Sequence, residues 1–383
     1  MLAIGLLAVS EYYAPRYPVE KFIIRQLLNK AERLDAVVVG NSHTLAIDMR
    51  AFGYDGYRIA QAGNDVFEVE YQLRTLLPKL PHVKTVFYVV SYFMFHVDNA
   101  ALFAHMAHFP TESSYQAFLK QFPYAEALVM PAFEKNAQGI FINLDRIPPA
   151  NKQKLGAAWQ AMTDYISGGT SIRERYYAAI PSLTWVRGDT GLFMLSKFAP
   201  LLRDDHWLGV WTAMLHPEQA FPQATPSSFR LDDYGQPTDP YFFQHQSREE
   251  LIRDFQDGAL PRQHYRIGLS LKNRPTLVED AFQTVAETVR ALQRRRIRVI
   301  FCTPPYFAAY SEAFDPNVRR VMHAKMQQLQ QTLQVEYYDF SVDPQFSHDE
   351  TLFCDSHHLN RAGSTAFSTK FKAQIDLAQA LKR

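Results

Sequence analysis

The chain has 383 residues, a hydrophobic fraction of 47% and a formal net charge of +1 at pH 7. This length suits one large domain or two ordinary ones, and the composition is that of a globular protein. A nearly neutral chain without a long basic run argues against nucleic acid as a partner. The two cysteines are too few for a disulfide scaffold and fit no zinc motif. No metal or other cofactor is expected.

The amino-terminal segment, residues 1–30, opens with MLAIGLLAVSEYY. Its apolar run is shorter than the roughly 20 residues that a membrane-spanning helix needs. It also lacks the charged start of a signal peptide. Two interpretations stay open for this segment: the remnant of a membrane anchor, or an amphipathic first helix that packs on the rest of the protein.

Strands and helices alternate on both sides of a long central segment. Apolar, β-branched runs predict buried strands at 35–39, 57–60, 84–91, 297–301 and 335–340. Apolar residues at helical spacing predict helices at 64–80, 275–296, 317–334 and 360–381. Such alternation predicts an α/β fold with a doubly wound parallel sheet. In such sheets ligands bind beyond the carboxyl ends of the strands.

Residues 99–272 interrupt this alternation. They are rich in aromatic residues, Pro and Gln, contain all four tryptophans and show no clear strand–helix pattern. We therefore predict a large, mainly helical insertion with long loops. It would separate the two parts of the α/β domain, residues 31–98 and 273–383.

Two short motifs stand at predicted carboxyl ends of strands. VVVGNSHT, residues 37–44, places Ser42 after the first strand, where Gly40 permits a tight turn. FCDSHHLN, residues 353–360, places Asp355 three positions before His358. A nucleophilic serine needs a base, and a carboxylate can orient the imidazole of that base. Because both motifs fall on one edge of the predicted sheet, we predict a triad of Ser42, His358 and Asp355. The alternatives are a serine that caps a helix and a surface histidine.

Around these motifs the chain resembles the SGNH (GDSL-like) hydrolase superfamily, in particular its bacterial cell-envelope branch of DltD-like and alginate O-acetylation-like proteins. VVVGNSHT resembles the first family block, AQAGND at 60–65 the second, and FCDSHHLNRAG the closing block. The likeness covers about 31–98 and 275–372. It implies a three-layer, flavodoxin-like fold with a five-stranded parallel sheet. It also implies catalysis by Ser42, His358 and Asp355, and an oxyanion hole built from Ser42, Gly63 and Asn64.

One family feature is missing from the chain. The third block usually carries an Asn in a Gly-x-Asn-Asp loop, but here the segment after the third strand reads VVSYFMFHVDN. Asn64 or Asn99 is the candidate for the missing side-chain donor. His43, Tyr92 and Tyr306 are expected to line the substrate site, although His43 could instead pack or cap.

The resemblance implies a serine esterase or O-acyltransferase that acts on acyl esters, with acetyl the expected group, of cell-envelope or exported glycans. The implied partners are an acylated glycan or small ester and a membrane-bound acyl-transfer protein. The implied location is the cell envelope, periplasmic or extracytoplasmic.

The missing third block and the aromatic insertion motivate an alternative function. In it, a weakly active or inactive protein of the same fold binds glycan or assembles with an acylation machinery. The two cysteines also leave a choice: Cys302 and Cys354 are either independent thiols or, in an exported protein, a single disulfide.

Overall fold

The structure is a computed structural model that describes residues 26–60, 63–99, 106–109, 112–136, 139–167, 231–238 and 240–381. The chain divides into two compact units, one of Met1–Pro18 with Asn99–Pro226 and one of Val19–Asp98 with Ser227–Arg383. The predicted amino-terminal anchor or helix lies mostly outside the described residues. Among the residues that are described, no helix is both long and apolar enough to cross a membrane.

The secondary structure of the described residues is as follows. The strands are β1 (Ala36–Gly40), β2 (Gly56–Ala60), β3 (Thr85–Val89), β4 (Met106–Phe109), β5 (Phe133–Asn136), β6 (Gly139–Asn143), β7 (Arg298–Thr303) and β8 (Glu336–Asp339). The α-helices are α1 (Met49–Phe52), α2 (Val66–Leu76), α3 (Glu112–Gln121), α4 (Ala125–Val129), α5 (Pro149–Ser167), α6 (Arg248–Asp254), α7 (Leu260–Asn273), α8 (Leu277–Arg294), α9 (Ala308–Ala313), α10 (Pro316–Leu333), α11 (Pro344–Ser347) and α12 (Arg361–Ala380). A π-helix, Phe255–Ala259, joins α6 to α7.

A five-stranded sheet forms the centre of the α/β unit, in the order β2-β1-β3-β7-β8. Every neighbouring pair in it is parallel. Strands β1 and β3 are buried along their whole length, which explains their continuous apolar sequences. Helices flank the sheet: α8 packs beside α2 and α10, and α12 packs on α1. The predicted α/β fold with a five-stranded parallel sheet is confirmed.

The helix before β7 illustrates how the sequence places this layer. Helix α8 has an apolar stripe at helical spacing, and every member of the stripe is buried: Leu277, Ala281, Val285, Val289 and Leu292. Helix α2 begins at a capping box. The side chain of Asp65 accepts the backbone N–H of Glu68, and the side chain of Glu68 accepts the backbone N–H of Asp65. These local signals hold both helices to the sheet and fix where α2 begins.

The described residues of the insertion form a separate core. Strands β4, β6 and β5 make an antiparallel sheet of three strands, and helices α3, α4 and α5 accompany it. Its buried side chains include Phe109, Tyr115, Phe118, Ile142 and Leu155. The helices were expected from the composition, but the small sheet was not. Its strands are only four or five residues long and give little period-two signal.

The insertion ends earlier than the predicted residue 272, because the chain from Ser227 onward clusters with the α/β unit. Polar contacts show why. Asp254, at the end of α6, accepts the hydroxyl hydrogen of Ser356 at 2.6 Å. On α7, Ser270 accepts the backbone N–H of Asp98 at 3.2 Å. The sequence of this segment lacks a strand–helix alternation, so its attachment could not be seen in advance.

The segment that follows β3, residues 91–98, is buried throughout. It includes His96, which is 3% exposed and whose Nδ1 has no hydrogen-bond partner. Burial lowers the pKa of His96 from 6.5 to about 4, against the raising effect of Asp315. Between these two pH values the unfolded chain binds a proton that the folded protein does not.

We therefore expect His96 to make the protein less stable as the pH falls from about 6.5 to about 4, with no further loss from this group below that range. The full contribution would be about 3 kcal/mol. Urea unfolding at pH 7 and pH 4.5 would measure the dependence in the wild type and in His96→Gln, which cannot titrate. The exposed His348→Gln is the control. Equal pH dependence in wild type and His96→Gln would contradict the expectation.

Candidate active site

The turn after β1 presents Ser42 at the carboxyl edge of the sheet. Gly40 ends the strand with φ of 141°, and a Cβ at this position would lie 2.5 Å from the carbonyl oxygen of Val89. Only glycine fits there without a shift of backbone. Asn41 then caps a 3-10 turn, Ser42–Ala46, by accepting the backbone N–H of His43 at 3.0 Å. Ser42 itself keeps part of its surface exposed.

The loop before α12 carries the other two members of the predicted triad. It is closed by a bridge between Phe353 and Leu359. Inside the loop, Asp355 Oδ1 accepts the backbone N–H of His357 at 3.0 Å and that of His358 at 2.8 Å. These two bonds hold the Asp355 carboxylate against the backbone of His357 and His358.

The structure brings Ser42, His358 and Asp355 together. Ser42 Oγ lies 2.7 Å from His358 Nε2, although the residues are 316 positions apart. His358 Nδ1 lies 2.8 Å from Asp355 Oδ2 and 3.0 Å from Oδ1. The side chains of His358 and Asp355 are 13% and 12% exposed, so the pair is shielded but reachable. This is the geometry in which an imidazole can take a serine proton.

Electrostatics favour an ionised Asp355. Burial by itself would raise its pKa. Interaction with His358 and His357, together with their hydrogen bonds, outweighs burial and holds the pKa of Asp355 well below its ordinary value of 3.8. A carboxylate beside His358 Nδ1 requires that nitrogen to carry the proton. His358 Nε2 is then the acceptor of the Ser42 hydroxyl.

Two further imidazoles flank His358. His43 stacks on it, with ring centroids 4.7 Å apart and an interplanar angle of 26°, and the His357 ring is 4.2 Å away. Burial, followed by interaction with His358 and His357, holds the pKa of His43 well below its ordinary value. Burial also lowers the pKa of His357 to about 4, against the raising effect of Asp355. Both flanking rings are therefore neutral at pH 7.

His43 is anchored to the carboxyl end of β3 rather than left free at a pocket wall. Its Nδ1 lies 2.6 Å from Ser91 Oγ and 3.0 Å from Asn41 Oδ1. Asn41 Nδ2 donates to the same Ser91 hydroxyl at 2.6 Å. Ser91 thus joins the turn after β1 to the segment that follows β3. Sequence reasoning did not single out Asn41 or Ser91, because only proximity reveals their link.

The residues predicted to form an oxyanion hole differ in whether their donor groups are already engaged by the protein. Gly63 has φ of 76°, and its carbonyl accepts a hydrogen bond from Arg266 at 3.4 Å. Asn64 Nδ2 donates to the carbonyl of Gly40 at 3.1 Å and to Gln72 Oε1 at 3.3 Å. An amide nitrogen has two hydrogens, so neither remains for an oxyanion. The prediction that the Asn64 side chain supplies a donor is therefore wrong.

The backbone N–H of Ser42 donates to no acceptor among the described residues. Within the described part of the chain, this N–H is therefore available for the role predicted for it, as a donor to an oxyanion. Asn99, the other candidate side chain, belongs to the other compact unit.

The two tyrosines expected to line the site are packed behind it. Tyr92 and Tyr306 are 2% and 1% exposed, with ring centroids 4.6 Å apart. Tyr306 meets the His43 ring edge-on at 5.1 Å. They offer almost no surface to a substrate, which corrects the expectation. Their place is to support His43, and through it His358.

Two clusters have the residue types of a metal centre. The ligand-capable atoms of His43, His357 and His358 lie within 4.8 Å of one another, as do those of Asp254, Asp355 and His357. In the first cluster, His358 Nε2 is already in contact with Ser42 Oγ at 2.7 Å. The carboxylates of the second cluster are engaged with backbone and side-chain hydrogens of the same loop.

The cysteines are separate. Cys302 and Cys354 are both buried free thiols, so the disulfide alternative is not realised. Burial raises the pKa of each thiol well above its ordinary value. Neither is a ready thiolate nucleophile.

The site as a whole offers a partly exposed hydroxyl, an imidazole oriented by a carboxylate, and a backbone N–H at the nucleophile that donates to no described residue. Such a set can transfer an acyl group through a covalent serine intermediate. Neither a scan against protein-family models nor a search of curated proteins finds a match for this chain.

Proposed function

We propose that the protein is a serine esterase or O-acyltransferase. One observation carries the proposal: the continuous contact from Asp355 through His358 to Ser42 Oγ, closed at 2.7 Å. Capping alone does not account for it, because a serine that caps its own turn has no need of an oriented imidazole. The 3-10 turn is capped by Asn41 instead.

In the first half-reaction, Ser42 Oγ attacks the ester carbonyl while His358 Nε2 takes its proton. The tetrahedral intermediate collapses, and the alcohol leaves with that proton. The acyl group is then bound to Ser42. In the second half-reaction, water or another alcohol attacks the acyl-enzyme and gives its proton to His358. His358 returns the proton to Ser42 as the product acid or ester departs.

Asp355 keeps His358 in the tautomer that both half-reactions need and stabilises the imidazolium between them. The backbone N–H groups of Ser42 and Gly63 are the proposed donors to the oxyanion. Neutral His43, stacked on His358, places no competing positive charge beside the ring that becomes cationic.

The substrate class follows from the resemblance of the motif segments to the envelope branch of SGNH hydrolases. It comprises acyl esters, with acetyl the expected group, of cell-envelope or exported glycans. A membrane-bound acyl-transfer partner and a location in the cell envelope belong to the same proposal.

The alternative, a glycan-binding or assembly protein with little or no turnover, is favoured by two observations. The Asn64 amide is engaged elsewhere, and Ser91 stands in place of the third-block Asn. Loss of one oxyanion donor typically costs about 2.7–4 kcal/mol of barrier height.

The two functions are separated by measuring hydrolysis of 4-nitrophenyl acetate and acetate release from an acetylated glycan. We expect turnover by the wild type and by Ser113→Ala, an exposed serine on α3, and none above background by Ser42→Ala. Glycan binding without turnover, unchanged in Ser42→Ala, would overturn the proposal in favour of the alternative.

A further inference from the structure

A second polar chain runs parallel to the triad through the neighbouring histidine. Ser356 Oγ lies 2.6 Å from Asp254 Oδ2 and 3.2 Å from His357 Nδ1. The backbone N–H of Ser356 donates to the same oxygen of Asp254 at 3.2 Å. The chain therefore runs from the carboxylate of α6 through a hydroxyl to an imidazole, next to the one that serves Ser42.

This chain fixes the tautomer of His357. A serine hydroxyl has one hydrogen, and the short contact with the carboxylate of Asp254 takes it. The ring must then be the donor in its contact with Ser356, so His357 Nδ1 carries the proton. The second acceptor near Nδ1, Asp355 Oδ1 at 3.3 Å, requires the same assignment. His357 Nε2 then carries no proton and is a hydrogen-bond acceptor.

The His357 ring lies beside the ring of His358. The two ring centroids are 4.2 Å apart and the ring planes are inclined at 43°. Ligand-capable atoms of His43, His357 and His358 lie within 4.8 Å of one another. Tyr310 also stacks on His357, with ring centroids 5.3 Å apart and an interplanar angle of 19°, and holds the ring in place. The His357 side chain is 16% exposed, and no described residue donates to Nε2. The pKa lowered to about 4 by burial keeps it an acceptor at neutral pH.

We propose that His357 Nε2 accepts a hydrogen bond from a second hydroxyl of the alcohol, on the carbon adjacent to the one that gives or receives the acyl group. The site would thereby select vicinal diols, the grouping found throughout carbohydrates, over isolated alcohols. This inference rests on the proposed acyl transfer by Ser42. The second hydroxyl keeps its proton, while the reacting hydroxyl gives its proton to His358, which returns it to Ser42 as the ester forms.

The test is partition of the acetyl-enzyme between two acceptors that differ only at the neighbouring oxygen. The enzyme is acylated with 4-nitrophenyl acetate in the presence of ethylene glycol or 2-methoxyethanol, and the ester formed from each is measured. We expect the wild type to favour the diol about tenfold: about twofold from the diol's two equivalent hydroxyls, and about fivefold from one hydrogen bond to a neutral acceptor. In His357→Phe the preference should fall to about twofold, the ratio set by the diol's two equivalent hydroxyls.

The ratio is internal to each protein and does not depend on how much of it is active. His357→Gln, whose side-chain oxygen can still accept, should keep an intermediate preference and covers the case in which His357→Phe fails to fold. An undiminished preference in both variants, or no preference in a wild type that forms the acetyl-enzyme, would overturn the role of His357 alone. Failure of the wild type to form an acetyl-enzyme by intact mass would overturn acyl transfer itself, and this inference with it.

Discussion

Replacement of His358 by Gln is expected to lower kcat/KM for ester hydrolysis by about 10⁴- to 10⁶-fold. His358 Nε2 is the atom 2.7 Å from Ser42 Oγ, and a glutamine side chain cannot take a proton there. Without a base the hydroxyl stays protonated and is a weak nucleophile. Steady-state hydrolysis of 4-nitrophenyl acetate, with folding checked by thermal denaturation, measures the loss.

His348→Gln is the matched control, since His348 is an exposed histidine only ten positions earlier in the chain. It should keep wild-type kinetics. A His358→Gln protein that is folded and retains more than a tenth of the activity would mean that another group activates Ser42. Given the geometry, His357 would be the first to examine.

Replacement of Asp355 by Asn is expected to lower kcat by about 10⁴-fold with little change in KM. The reason is that the two oxygens of this carboxylate have different partners. Its Oδ1 accepts the backbone N–H groups of His357 and His358, and an asparagine oxygen can keep that place. The amide NH₂ then faces His358 Nδ1, where Oδ2 stood at 2.8 Å. His358 must accept there, so its proton moves to Nε2, the wrong nitrogen for taking a proton from Ser42.

The comparison for this change is Asp349→Asn, the same loss of charge at an exposed position six residues earlier. Its activity should stay near that of the wild type. If Asp355→Asn raised KM and left kcat intact, Asp355 would be a binding residue rather than the group that orients His358.

Much of the fold was predictable because the sheet is buried on both faces. Continuous apolar runs such as Val37–Val39 predict buried strands, and the apolar stripe on α8 predicts a helix packed on the sheet. Parallel strands bring their carboxyl ends to one edge of the sheet. From that rule alone, Ser42 and His358 were expected to meet. The antiparallel sheet of the insertion gave no comparable signal, because its short strands neither alternate clearly nor form long apolar runs.

The fine structure of the site could not be read from the sequence. Asn64 follows Gly63 and has the right chemistry for an oxyanion donor, but its amide is consumed by Gly40 and Gln72. Tyr92 and Tyr306 have the right chemistry to line a pocket, but packing turns them inward. In each case the outcome depends on which groups fold next to the residue, and that is a property of tertiary packing.

The contact of His43 and His357 with His358 is the other feature that only the structure reveals. The sequences GNSH and DSHH do not indicate which of their imidazole rings come into contact in the folded protein. The fold sets three imidazoles within 4.8 Å of one another by their ligand-capable atoms, and burial keeps two of them neutral.

The most direct test of acyl transfer by Ser42 is to label the folded protein with a fluorophosphonate and locate the adduct by mass spectrometry. Trypsin should release residues 34–50 as one peptide, in which Ser42 is the only serine. We expect a single adduct on that serine, lost in Ser42→Ala and after unfolding in urea. A folded protein that takes up no label, or takes it up at another residue, would contradict the assignment of Ser42 as nucleophile.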